Sequence, residues 1–235
     1  LKDYVRMINY EEKFNPTKNI AYKRGNIIKL NFGFNIGSEY GGLHYAVVLD
    51  KHNAHNSPVV TVVPLTSIKK NKTVHENNIF LGNDIYRLLK IKHDTVQKAL
   101  LEEQAELKSM ITIAATLVSL TEKSNDEVNA LLVQEKPFDK KLLETIQELK
   151  LAQQMLDDLS IKSSENKEKI INLEKIEKEI AQMKEGSIAL INQITTISKI
   201  RIYDPKNSNG VLSGITLSQE QMEKINEKIK DLYIF

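Results

Sequence analysis

The sequence predicts an α+β protein in which a small strand-rich body is interrupted by a long helical segment. Three observations carry this. All nine glycines lie outside residues 83–185. Apolar residues alternate with period two around Asn26–Phe32 but recur at helical spacing through the middle of the chain. Charge divides the same way: residues 83–185 hold 16 Lys and Arg against 20 Asp and Glu, whereas the flanks hold 17 against 11. The overall charge of +2 therefore conceals a basic body and an acidic middle. A basic surface raises the expectation of an anionic partner.

With 235 residues the chain can bury a core without a metal or disulfide. It has no cysteine, which excludes a disulfide framework, a thiol nucleophile and thiolate metal sites. No apolar run approaches the roughly 18 residues of a membrane span, and Leu1-Lys2-Asp3-Tyr4 opens no signal-peptide core. The expected location is cytoplasmic.

The elements follow in order. Residues 1–14 fit a short helix, which Asn15-Pro16 ends. In Asn26–Phe32, Ile28, Leu30 and Phe32 share a strand face. Gly33, Gly37, Gly41 and Gly42 make a loop, and Tyr45–Leu49 is a second strand. Lys51–Ser57 is a polar turn, and Val59–Leu65, rich in β-branched residues, is a buried strand. Thr73–Leu81 is a weaker strand. In the middle, Val96, Leu100, Leu107, Ala114 and their neighbours form one helical stripe. Ser124-x-x-Glu127 predicts a second helix start, Pro137 a third, and Ser163 or Ser164 a last one before Leu173, Ile176, Ile180 and Met183. Ile188–Ile202 is again strand-like. Ser218-Gln219-Glu220-Gln221 opens a final helix with Met222, Ile225, Ile229 and Leu232 on one stripe. Because strands resume after Gly186, the middle is an insertion, a helical hairpin or bundle, and not a linker. The expected division is 1–82, 83–185 and 186–235.

Two clusters can carry chemistry. Gly37-Ser38-Glu39-Tyr40-Gly41-Gly42-Leu43-His44 lies between two strands, and Pro64-Leu65-Thr66-Ser67 ends the third. Hydroxyls at a strand end, near a loop bearing Glu and His, can hold a phosphate and supply a proton acceptor. Read bare, the same glycines describe an ordinary turn.

The ordered motifs Lys23-Arg24-Gly25-Asn26-Ile27-Ile28, Gly37-Ser38-Glu39-x-Gly41-Gly42 and Pro64-Leu65-Thr66-Ser67 resemble the PemK/MazF family of toxin ribonucleases. The late segment Gly186–Ile202, and a final helix after Leu212-Ser213-Gly214, agree with it. The resemblance covers about Tyr22–Leu81 and Gly186–Phe235, and the helical middle has no counterpart in the family's short members. It implies an SH3-like β-barrel that dimerises or forms a higher homo-oligomer. It also implies metal-independent cleavage of single-stranded RNA by 2′-hydroxyl attack, leaving a 2′,3′-cyclic phosphate and a 5′-hydroxyl. A cognate antitoxin, protein or RNA, goes with it, in a toxin–antitoxin or phage-defence system, and no cofactor or metal is expected.

On that resemblance the catalytic threonine falls on Thr66, with Ser67 beside it, and the acidic loop position on Glu39. The family's usual Arg after the Gly-Gly-x step is replaced by His44. Arginine there stabilises phosphate charge, whereas histidine can exchange a proton near neutral pH. His44 and Thr66 are the expected working pair. Gly37, Ser38, Gly41 and Gly42 form the loop. Arg24, Lys69, Lys70, Gln193, Thr196 and Lys199 are the candidate RNA contacts.

Bland readings stand beside these. Glu39 can simply order its loop, and Thr66 can simply end its strand. Gln193, Thr196 and Lys199 can be the solvated face of a strand, and Lys69 and Lys70 the protection of a sheet edge. His52 and His55 lack further ligands for a metal. The alternative function is a barrel that has lost catalysis and binds nucleic acid or protein. For the acidic middle the readings are assembly, covering of the basic groove, and partner binding.

Overall fold

A computed structural model describes residues 2–68, 73–132, 140–184 and 186–234. Among the described residues, four α-helices and seven strands appear in the order α1 (Lys2–Tyr10), β1 (Ile27–Asn31), β2 (Leu43–Val48), β3 (Val59–Ser67), β4 (Asn78–Gly82), α2 (Asp84–Leu132), α3 (Lys140–Gln182), β5 (Ser187–Leu190), β6 (Thr195–Ser198), β7 (Ile202–Asp204) and α4 (Gln219–Tyr233). The protein is thus α+β, with one antiparallel sheet and two long helices.

The chain divides into two compact units, residues 1–93 with 175–235, and residues 94–174. In the first, the strands run β4-β5-β3-β2-β1-β7, and β6 also pairs with β3. The sheet is open, with β4 and β7 at its ends. Strand β3 organises it. Its Val62–Pro64 stretch pairs with β2 along one edge. Along the other edge Val59–Val62 pairs with β6 and Leu65–Ser67 with β5.

Both faces of the sheet are covered, so its central strands read as near-continuous apolar runs. Ile27, Val47, Val63 and Leu65 pack with Ile85 and Leu89 of α2, and with Met222 and Ile225 of α4. Ile28, Leu30, Ala46, Val48, Val60 and Val62 face the other way, toward Tyr22, Ile197 and Ile202. Adjacent residues of each strand serve opposite cores, as the two-residue period requires.

Helix α4 starts as its sequence predicts, the Ser218 hydroxyl accepting from the Gln221 backbone N–H at 3.3 Å. The reciprocal half of the capping box is absent. The Gln221 side chain donates instead to the Leu81 carbonyl at 2.9 Å and to Asp84. Lys92 fixes the loop before α4: its ammonium donates to the carbonyls of Gly210, Val211 and Ser213 at 2.8–2.9 Å.

The sequence differs from the structure in three places. Ser124-x-x-Glu127 starts no helix, because α2 runs through it to Leu132. Ser163 and Ser164 likewise lie inside α3. A serine costs an established helix only a few tenths of a kcal/mol, about 0.5, so propagation overrides the local cap signal. Ile188–Ile202 is broken into β5, β6 and the start of β7 by single 3-10 turns at Ile191–Gln193 and Lys199–Arg201. Pro137 lies outside the described residues.

The second unit is built from the outer lengths of α2 and α3. Leu100, Ala114, Ala152 and Leu173 are buried, and Lys169 pairs with Glu103. Leu101, Ile111, Leu120, Leu151 and Ile161 remain exposed. Among the described residues, no helix is long and apolar enough to cross a membrane.

Candidate active site

His44 lies in β2, whose pairing with β1 sets it opposite Leu30. On its other side the β2–β3 register, which pairs Ala46 with Pro64, points two residues on to Thr66. His44, Thr66 and Ser67 line one cavity of about 350 Å³, together with Lys29, Tyr45 and the residues Gln182–Lys184 after and at the end of α3. The two clusters that are separate in sequence therefore meet at one place, the expected working pair among them.

A residue from the glycine loop joins them. The Tyr40 hydroxyl donates to the Leu65 carbonyl at 2.7 Å and lies 2.9 Å from His44 Nδ1. The Leu65 carbonyl and the His44 ring thus share the Tyr40 hydroxyl, while the Gly41 carbonyl approaches the same ring. In its neutral form the ring keeps one lone pair, which a proton acceptor needs. Burial holds the His44 pKa below its ordinary value, with the neighbouring Gly41 carbonyl opposing the shift, so the ring is neutral at pH 7. Burial also pushes the Tyr40 pKa up, opposed by its contact with the Thr66 side chain, and Tyr40 remains a donor. The Tyr40 ring packs at 4.4 Å from the His44 ring and edge-on at 5.5 Å from Phe32. Tyr40 is the member of the site that sequence reasoning passed over. Its place in the glycine loop is visible in the sequence, but its bond to Leu65 spans 25 positions.

The loop itself is shaped by close approach. A Cβ on Gly41 would fall 2.7 Å from the Asn35 backbone nitrogen and 3.0 Å from the Gly33 carbonyl oxygen. Gly37 and Gly42 adopt positive φ, +59° and +85°, which side chains disfavour. Ser38 and Glu39 are exposed, and Glu39 faces a second cavity, of about 480 Å³, rather than the one that holds His44 and Thr66. Gln193, Thr196 and Arg201 line that same second cavity.

Several expected RNA contacts have structural partners. The Gln193 side chain accepts from the Tyr40 backbone N–H at 3.3 Å and donates to the Ser38 carbonyl at 3.4 Å, holding the loop. Arg24 donates to the Leu49 carbonyl and to Asn226 of α4. Thr196 is exposed, its hydroxyl 3.1 Å from that of Thr61. Lys199 requires a correction. It is fully buried, its ammonium donating to the Ala54 carbonyl at 3.1 Å and reaching toward that of His55, and it presents no charge at the surface. The 3-10 turn that interrupts the strand turns it inward. Lys69 and Lys70 lie outside the described residues. Among the described residues, no group of three or more His, Asp or Glu is placed to hold a metal.

The antiparallel sheet thus gathers a hydroxyl, an imidazole and a phenol at one strand end, a set of side chains able to exchange protons. Residues 23–135 match the family described as PemK-like, MazF-like toxin of type II toxin-antitoxin system. That stretch, similar to this toxin family, runs from before β1 to just past the end of α2, and the long helix α3 lies after it. No curated protein matches the chain.

Proposed function

We propose that this chain is a toxin endoribonuclease that cleaves single-stranded RNA without a metal, in a toxin–antitoxin or phage-defence system. The observation that supports it best is the Tyr40–His44–Thr66 cluster, with a neutral imidazole beside a strand-end hydroxyl in a cavity. In this reading the neutral His44 ring takes the proton from the ribose 2′-hydroxyl. That oxygen attacks the adjacent phosphorus, the P–O5′ bond breaks, the departing 5′-oxygen takes a proton from water, and the imidazolium returns its own proton to solvent. The products are a 2′,3′-cyclic phosphate and a 5′-hydroxyl. Thr66 and Ser67 donate hydrogen bonds to the phosphate oxygens as charge develops. Tyr40 orients the imidazole. Glu39, which faces the neighbouring cavity, serves the loop or a flanking nucleotide.

We read the sheet, in which β3 pairs first with β6 and then with β5, as an opened form of the SH3-like barrel that the resemblance implies. Residues 83–185 form an inserted helical hairpin. Its exposed Leu and Ile side chains favour an assembly role, consistent with a homodimer or higher homo-oligomer. An RNA target and a cognate antitoxin place its action in the cytoplasm.

The test is incubation of single-stranded RNA with the purified protein in chelator, followed by end-group analysis. Cyclic phosphate and 5′-hydroxyl ends support the reading. Intact RNA sinks it, and intact RNA that is nevertheless bound makes the protein a binding module.

A further inference from the structure

Beside His44 and Thr66 the same cavity contains a cation that the proposed mechanism does not use. Lys29 of β1 lies directly across from Tyr45 of β2, and its ammonium sits 5.3 Å from the centre of the Tyr45 ring. Both side chains converge on one carboxylate. Lys29 Nζ is 2.5 Å from Glu179 Oε1, and the Tyr45 hydroxyl donates to the same oxygen. The pair is largely shielded, with side-chain exposures of 21 % for Lys29 and 16 % for Glu179. Glu179 belongs to the last turns of α3, whose Ile180 and the following Met183 pack on the core, so its backbone is held in place.

An ammonium and a phenol converging on one oxygen can hold either a carboxylate or a phosphate. We propose that Lys29 and Tyr45 form a phosphate-binding subsite next to the His44–Thr66 pair, and that Glu179 occupies it as a built-in competitor of the RNA backbone. The proposal rests on the RNA reading above and adds to it a positioning site and a restraint on it. Substrate phosphate displaces the Glu179 carboxylate from Lys29, and the carboxylate lowers affinity for any RNA that lacks other contacts. Nothing in this subsite reads a base, because ammonium and phenol both address the backbone.

The experiment compares the full chain with Glu179→Ala, Glu179→Gln and Glu179→Ala/Lys29→Gln. Two probes are used, inorganic phosphate and a 2′-O-methyl single-stranded oligonucleotide that cannot be cleaved. Removing the carboxylate is expected to tighten phosphate and oligonucleotide binding about tenfold or more, and the added Lys29→Gln to abolish the gain. Glu179→Gln keeps the packing of α3 and is expected to give a gain of the same sign, which separates charge from misfolding. Unchanged phosphate affinity in both Glu179 variants overturns the proposal, as does a gain that survives Lys29→Gln. A phosphate gain with no oligonucleotide binding in any variant leaves the anion site but overturns its assignment to RNA. Wild-type cleavage with unmoved affinities overturns the subsite and leaves the nuclease reading intact.

Discussion

The Tyr40 hydroxyl and His44 Nδ1 lie 2.9 Å apart, and the same hydroxyl reaches the Leu65 carbonyl at 2.7 Å. A loop residue thereby orients the ring of a strand residue. His44→Ala is expected to lower RNA cleavage by about 100-fold or more, the usual contribution of a general base. Tyr40→Phe keeps the ring packing but removes the hydrogen bond, and an effect of about tenfold on kcat is expected. A fixed-time cleavage assay on one labelled oligonucleotide measures both. Equal activity of Tyr40→Phe and wild type would remove the tyrosine from the mechanism.

The pH dependence follows from the same ring. Burial lowers the His44 pKa, so the neutral, proton-accepting form predominates above the ordinary histidine value of about 6.5 and persists somewhat below it. Cleavage is therefore expected to be flat around neutral pH and to fall on acidification, with its midpoint below that value. A kcat/KM profile between mildly acidic and neutral pH checks this. A midpoint above the ordinary value would contradict burial as the dominant influence.

Gln193 joins the β5–β6 turn to the glycine loop at Ser38 and Tyr40. Gln193→Ala is expected to leave the melting temperature nearly unchanged while exposing the loop. Limited proteolysis reads this directly, with faster cutting within residues 33–42. If Gln193 is only an RNA contact, the cutting rate stays as in the wild type.

Lys92 lies outside both cavities, and its role is in stability. Its ammonium satisfies three backbone carbonyls, with Asp204 nearby, and the Asp204 carboxylate accepts from the backbone N–H groups of Val211 and Leu212. Lys92→Met withdraws the ammonium from all three carbonyls, of which Gly210 keeps the Ser213 backbone N–H, at a cost of about 2 kcal/mol. Urea unfolding gives the value, and a loss below about 1 kcal/mol would show that water replaces the ammonium.

Much of this arrangement was legible in the sequence because its signals are local. The alternation of Ile28 and Leu30, the β-branched run of Val59–Leu65 and the Ser218 cap each predict an element that the structure contains. The pairing of His44 with Thr66 in one cavity was legible through resemblance, since no periodicity joins residues on different strands. Tyr40, Lys29 and Tyr45 were not legible, because their significance lies in partners at Leu65 and Glu179, which chain order does not reveal. Lys199 misled for the opposite reason. An amphipathic pattern names a solvent face, but one 3-10 turn rotates a lysine inward, where the Ala54 and His55 carbonyls receive it.

Strands β4 and β5 are hydrogen-bonded neighbours, and where they end the Gly186 backbone N–H donates to the Asn83 side chain at 2.7 Å, although the two residues are 103 positions apart. The sheet thus treats the point of departure and the point of return almost as consecutive residues. Because these ends are clasped by the body itself, the entropy of closing the loop grows only slowly with its length. Turns of helix can then be gained or lost between them at little cost to the strands that carry His44 and Thr66. The clasp makes this a position where a small fold can acquire or shed an appendage in evolution without rebuilding the end that holds His44 and Thr66.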